Sequence, residues 1–155
     1  MHSDIEALLV QAENHFLKPE ELATFKRYVT TLGQRLKIYE FLREKEAIIF
    51  QPIINQLEEV YPSEKPEVLE RSLKHWILVL RYAAMAMLLN DPTFLKQRLL
   101  DWLSGLVQVQ QTLEIEETIY QLLQASLKKV VPEKALAILE PFLKQAQSLL
   151  TQVEA

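Results

Sequence analysis

"LERSLKHWILVLRYAAMAMLLNDP", residues 69–92, decides how the rest of the chain is read. From Trp76 to Leu89 nearly every residue is apolar, with Arg81 alone among them. A helix that is apolar around its whole circumference belongs in the middle of a helical fold. The run is shorter than the ~20 residues needed to span a bilayer, and it carries a charge, so a buried core helix is expected over about Glu67–Leu89. Asn90-Asp91-Pro92 closes it. Arg81 then needs an explanation, because a guanidinium taken out of water without a partner is strongly destabilising. Either a carboxylate meets it or it reaches an interface or water. Just upstream sits a small polar cluster, Ser72, Lys74 and His75.

Working outward, the composition points to an all-α chain. Only two glycines occur, Gly33 and Gly105, and Leu, Glu, Gln, Lys and Ala dominate, all good helix formers. Ser3-Asp4-Ile5-Glu6 fits a capping box for a first helix to about His15, with Ile5, Leu8, Leu9, Ala12 and Phe16 as its apolar stripe. Lys18-Pro19-Glu20-Glu21 opens a second helix whose buried face is Leu22, Phe25, Val29 and Leu32. A third is expected after Gly33, and a fourth over about Glu46–Tyr61, started or kinked by Pro52. Tyr61 to Pro66 is a loop. Beyond the central helix, segments are expected at about Thr93–Leu100, Asp101–Gln111, Glu114–Val130 and Pro132–Val153, the last bent at Pro141. No linker or repeat interrupts the pattern, so residues 1–155 read as one domain.

Charge and composition exclude several functions. The net charge is −4, with acids and bases interspersed and no basic block, which argues against nucleic acid or an anionic membrane surface as the main partner. The chain has no cysteine, so disulfides, thiolate catalysis, thiolate metal sites and thioether-linked cofactors are out. "MHSDIEALL" carries acids where a signal peptide carries bases. The chain reads as cytosolic, or at most peripheral to a membrane.

No catalytic constellation stands out. His2, His15 and His75 lie on different elements, offer no metal-ligand spacing, and read as ordinary histidines. No glycine-rich loop is available to cradle phosphate. Ser72 and His75 are three apart and share a helix face, but no oxyanion hole or orienting acid is identifiable. Glu20-Glu21, Glu58-Glu59 and Glu114-Glu116-Glu117 read as helix starts and solvent faces. Trp76 and Trp102 read as core residues.

The helix order and the central "LRYAAMAMLLND", residues 80–91, resemble the phycobilisome protein family, globin-like light-harvesting subunits with two extra N-terminal helices. The resemblance runs from "QAENHFLKPEEL" through "LRYAAMAMLLNDPTFLKQRLLDWLSGL" to the last helix. It implies a globin-like fold with an N-terminal two-helix extension. The family fixes an open-chain tetrapyrrole, a bilin, to a cysteine nine residues before the arginine of this core helix, which is Ser72 here. The family's propionate-binding arginine and pyrrole-binding aspartate match Lys74 and His75, and its upstream basic residues fall near Glu67 and Val68. A serine hydroxyl is a far weaker nucleophile than a thiolate, so the resemblance implies a relative without covalent bilin.

The resemblance also gives Arg81 a partner, an acid on the first helix of a neighbouring subunit, which is Glu13 here. Leu8, Leu9, Phe16 and Phe25 would supply the apolar part of that contact. An intramolecular pair is the alternative. The functional expectation is a non-enzymatic protein that assembles, regulates or turns over the light-harvesting apparatus near the thylakoid. Its partners would be itself, another subunit of this type, or other photosynthetic complex proteins. The alternatives are non-covalent binding of a bilin or apolar ligand through a remnant pocket at Ser72, Lys74 and His75, and a cofactor-free globin-like stress-signalling module.

Overall fold

A computed structural model describes residues 3–151, with side chains from residue 5 onward. Among these residues every regular element is helical. They are α1 (Ser3–Ala12), α2 (Pro19–Val60), α3 (Pro66–Leu89), α4 (Pro92–Leu95), α5 (Asp101–Gln110), α6 (Leu113–Val130) and α7 (Glu133–Leu150). A π turn, Lys96–Leu100, joins α4 to α5 where the sequence suggests a break. The side chains of the Ser3-Asp4 capping box, and the expected end of the last helix at Val153, lie outside the described residues.

The central helix is where its sequence puts it. α3 packs against α2, α6 and α7, and Trp76, Val79, Ala83, Ala86 and Met87 are fully buried. Among the described residues α3 is also the helix long and apolar enough to cross a membrane, but more than half of its apolar window is covered by the other helices. It ends at Asn90, which takes the left-handed conformation (φ 52°, ψ 48°) that closes a helix. Asp91 then caps α4, its Oδ1 accepting from the backbone N–H of Thr93 (3.0 Å) and Phe94 (3.4 Å).

The largest departure from expectation is α2. The segments expected on either side of Gly33 and up to Tyr61 are one continuous helix of 42 residues, roughly 63 Å long at 1.5 Å per residue. Gly33 does not end it, because a glycine costs a helix only ~1 kcal/mol and strong helix formers flank it on both sides. Pro52 does not start it either. The carbonyl that Pro52 leaves without its N–H belongs to Ile48, and both residues lie on the solvent side, where water can replace the lost bond. On the opposite side of that turn, the Ser126 hydroxyl of α6 donates to the Ile49 carbonyl at 2.6 Å.

α1 stops at Ala12 and not near His15. With the first half of α2 it forms an arm whose expected buried stripes stay largely uncovered. Ile5 is buried, but Leu8 is only half-covered, and Leu9, Leu22, Phe25 and Val29 are exposed. Phe16, between the two helices, is 99% exposed.

Candidate functional site

The polar cluster on α3 does not form a solvated helix end. Its members part ways because they face different sides of the helix. Lys74 points outward and pairs with Glu70 one turn back (3.1 Å), both side chains exposed. Ser72 and His75 are buried. Their environment is built by a residue that the sequence reading placed on a solvent face, Glu116.

Glu116 lies in the first turns of α6 and is fully buried. Its Oε1 accepts from His75 Nδ1 at 2.8 Å and from the Thr112 hydroxyl at 3.3 Å, and its Oε2 accepts from Trp76 Nε1 at 2.5 Å. With Glu116 as the acceptor, the proton of this bond is assigned to His75 Nδ1. Three donors and the positive end of α6 replace the water that Glu116 gives up. Tyr120, one turn further along α6, packs on Trp76 with ring centroids 5.6 Å apart. Burial there pushes the Tyr120 phenol above its ordinary range, and Glu140 and Glu117 push it the same way.

The sequence carried a faint signal for Glu116. It sits beside Ile115 and one turn before Ile119 and Tyr120, inside the apolar stripe of α6. The acids around it drew it into the wrong class.

Ser72, His75 and Glu116 supply the residue types of a nucleophile, a base and an orienting acid. The arrangement does not support catalysis. Ser72 is fully buried and its Oγ makes no hydrogen bond, so nothing takes its proton and no substrate reaches it.

Nor do these residues fit a bilin. Ser72, which the resemblance alone aligns with the attachment cysteine, is a buried hydroxyl, and His75 is turned inward onto Glu116. Lys74 is engaged outside by Glu70. Beside them, between α2, the Tyr61–Pro66 loop and α3, lies a cleft of about 420 Å³. Its floor is Ile54, Leu57, Leu69 and Leu73, but its rim carries Glu58, Glu64 and Glu70. Those acids would repel the propionates of a bilin.

Arg81 lies on the exposed side of α3, with 60% of its side chain open to solvent. It is paired within the chain: Nε donates to Glu46 Oε1 at 2.6 Å and Nη2 to Oε2 at 3.0 Å. This fork raises the guanidinium pKa further, the hydrogen bonds to Glu46 contributing most. α3 is therefore apolar around less of its circumference than its sequence suggests. Trp102 departs from expectation too. Where Trp76 is wholly enclosed, Trp102 is 62% exposed on the outer face of α5.

Glu13 is exposed just beyond α1, and its carboxylate has no part in the Arg81–Glu46 pair. Leu8, Leu9, Phe16 and Phe25 belong to the same uncovered arm.

Comparison with curated protein sequences finds no match. The family model described as Phycobilisome protein matches residues 8–150, from within α1 to the end of α7, and that family implies the globin-like all-α fold expected from the resemblance. The chain belongs to the phycobilisome protein family, as a member with no cysteine to tether a pigment.

Proposed function

We propose that this protein acts by docking, as a pigment-free interaction, assembly or regulatory factor of the light-harvesting apparatus. Proteins of its family are light-harvesting proteins and not enzymes, and this chain is a non-enzymatic member. Its partner is another phycobilisome-type subunit, either a second copy or a relative, met in the aqueous compartment beside the thylakoid.

The observation that carries this reading is the uncovered apolar face of the arm. Phe16 alone is worth about 1.5–3 kcal/mol when moved from water into a packed contact. Several large apolar side chains exposed on one helix pair favour a protein–protein contact. Around it, Glu13 supplies an acid, while Arg81 keeps Nη1 outside its fork with Glu46. Glu13 of one subunit meets Arg81 of its neighbour at the rim of that contact.

The test is association. Tagged protein expressed in a photosynthetic host should co-purify with a phycobilisome-type subunit or run as a dimer on gel filtration. Phe16→Asp with Phe25→Asp should abolish this, and Glu13→Lys or Arg81→Glu should weaken it. A double variant that keeps its partner at wild-type level sinks the proposal.

One observation favours a second reading, a non-covalent apolar ligand: the cleft floored by Leu57, Leu69 and Leu73 is of ligand size. Native mass spectrometry of protein purified from the photosynthetic host separates the two. A bound apolar molecule released on denaturation supports the ligand; ligand-free protein removes it.

A further inference from the structure

A second cleft lies where the arm meets the body, and it has the opposite charge character. It is a cleft of about 510 Å³ whose polar lining includes Arg27, Arg35, Gln34 and Asn90, with Ile5 of α1 and Ile138 of α7 as apolar walls. Among the described lining residues there is no carboxylate. In a chain with 21 acids and 17 basic residues, two arginines with no acid among the described lining residues are a departure.

Arg35 is the fixed element of the cleft. It is only 7% exposed. Its Nε donates to the Thr31 carbonyl at 3.3 Å, and its Nη1 to the carbonyls of Met87 (3.2 Å) and Leu88 (2.5 Å). The last two lie at the C-terminus of α3, where the helix dipole favours a cation. Nη2 has no hydrogen bond among the described residues, and the guanidinium is held in orientation over the Tyr28 ring, 5.7 Å from its centroid. Arg27, two turns earlier on α2, is exposed and, among the described residues, makes one long bond from Nη2 to the Thr24 hydroxyl (3.4 Å). The cleft thus offers one pre-set cation, one adjustable cation and the side-chain amides of Gln34 and Asn90.

We propose that this cleft binds a small organic oxyanion, a carboxylate or phosphate monoester with a compact apolar body. The two guanidinium groups hold the anionic end, for which their planar forks are matched. Ile5 and Ile138 contact the apolar end. Because the lining comes from the arm and from the body, occupancy ties the position of one to the other. The site does not depend on the docking role proposed above, which is read by association and not by ligand titration.

The experiment follows the arginine Nε–H resonances of the full chain by NMR during titration with phenyl phosphate, benzoate and inorganic phosphate, each against chloride at equal ionic strength. Saturable shifts are expected at Arg27 and Arg35, with none at the remote Arg98. Phenyl phosphate or benzoate should bind more tightly than inorganic phosphate, and which of the two wins identifies the head group. Loss of a charge-assisted bond predicts about tenfold or greater weakening in Arg27→Gln, with unchanged thermal stability because the side chain is exposed. Arg35→Lys is a second probe, kept secondary because Arg35 also caps α3. Shifts that do not saturate, equal shifts at Arg98, or an Arg27→Gln protein that binds like wild type would each overturn the proposal.

Discussion

The arm and the body of this protein are written in the same code and end differently. In α6, Ile115, Ile119, Leu123 and Leu127 recur at helical spacing and are all buried. In the first half of α2, Leu22, Phe25 and Val29 recur at the same spacing, yet Leu22 is 42% and Val29 50% exposed. Periodicity states that a helix face needs cover. It does not state who supplies it. For α6 the cover is α2, α3 and α7 of the same chain. For the exposed face of the arm the main cover among the described residues is α1, which is too short and too exposed itself to close it. The difference separates a structural core from an apolar surface that stays exposed in the single chain.

Four substitutions test that contrast. The largest effect belongs to the body. Glu116→Ala removes the shared acceptor of Trp76, His75 and Thr112 and leaves buried donors unpaired, so unfolding by denaturant should show a loss of about 3–5 kcal/mol. A loss under about 1 kcal/mol would mean that water or a neighbour takes over, and that the polar knot is not structural. Next is the junction. Gly33 sits inside a continuous helix with nothing near its missing side chain, so Gly33→Ala should raise stability by about 0.5–1 kcal/mol. Destabilisation there would show that α2 is not one rod. The smallest effect belongs to the arm. Leu22→Gln and Val29→Gln should each lower the stability of the isolated chain by no more than about 1 kcal/mol, since both side chains are already about half exposed and little packing is lost. A substantially larger loss would place the arm within the core and erase the contrast.

Much of the fold could be read from the residues, and the reasons are local. Helix formers and scarce glycine gave the all-α class, Pro66 and Asn90-Asp91-Pro92 bracketed α3, and the Tyr61–Pro66 loop is where its prolines put it. The division of α2 into three pieces failed because Gly33 and Pro52 were weighed as punctuation. Both lie on exposed faces, where a helix tolerates them. The site was less legible. Ser72 and His75 were visible as a pair, but Glu116 lies 41 residues beyond His75. Arg35, likewise, is explained only by carbonyls 52 and 53 residues away. Neither pairing leaves a mark in the local pattern.

The sequence by itself determined that this chain is helical, that residues 76–89 form its heart, and that no thiol exists to tether a pigment, because propensity, hydropathy and composition act residue by residue. Only the tertiary structure decided that Arg81 forks onto Glu46, that Glu116 is buried beneath Trp76, and that the arm is left uncovered. Those outcomes depend on which helices meet and at what rotation, and contacts across dozens of residues are set by the packing of the whole chain.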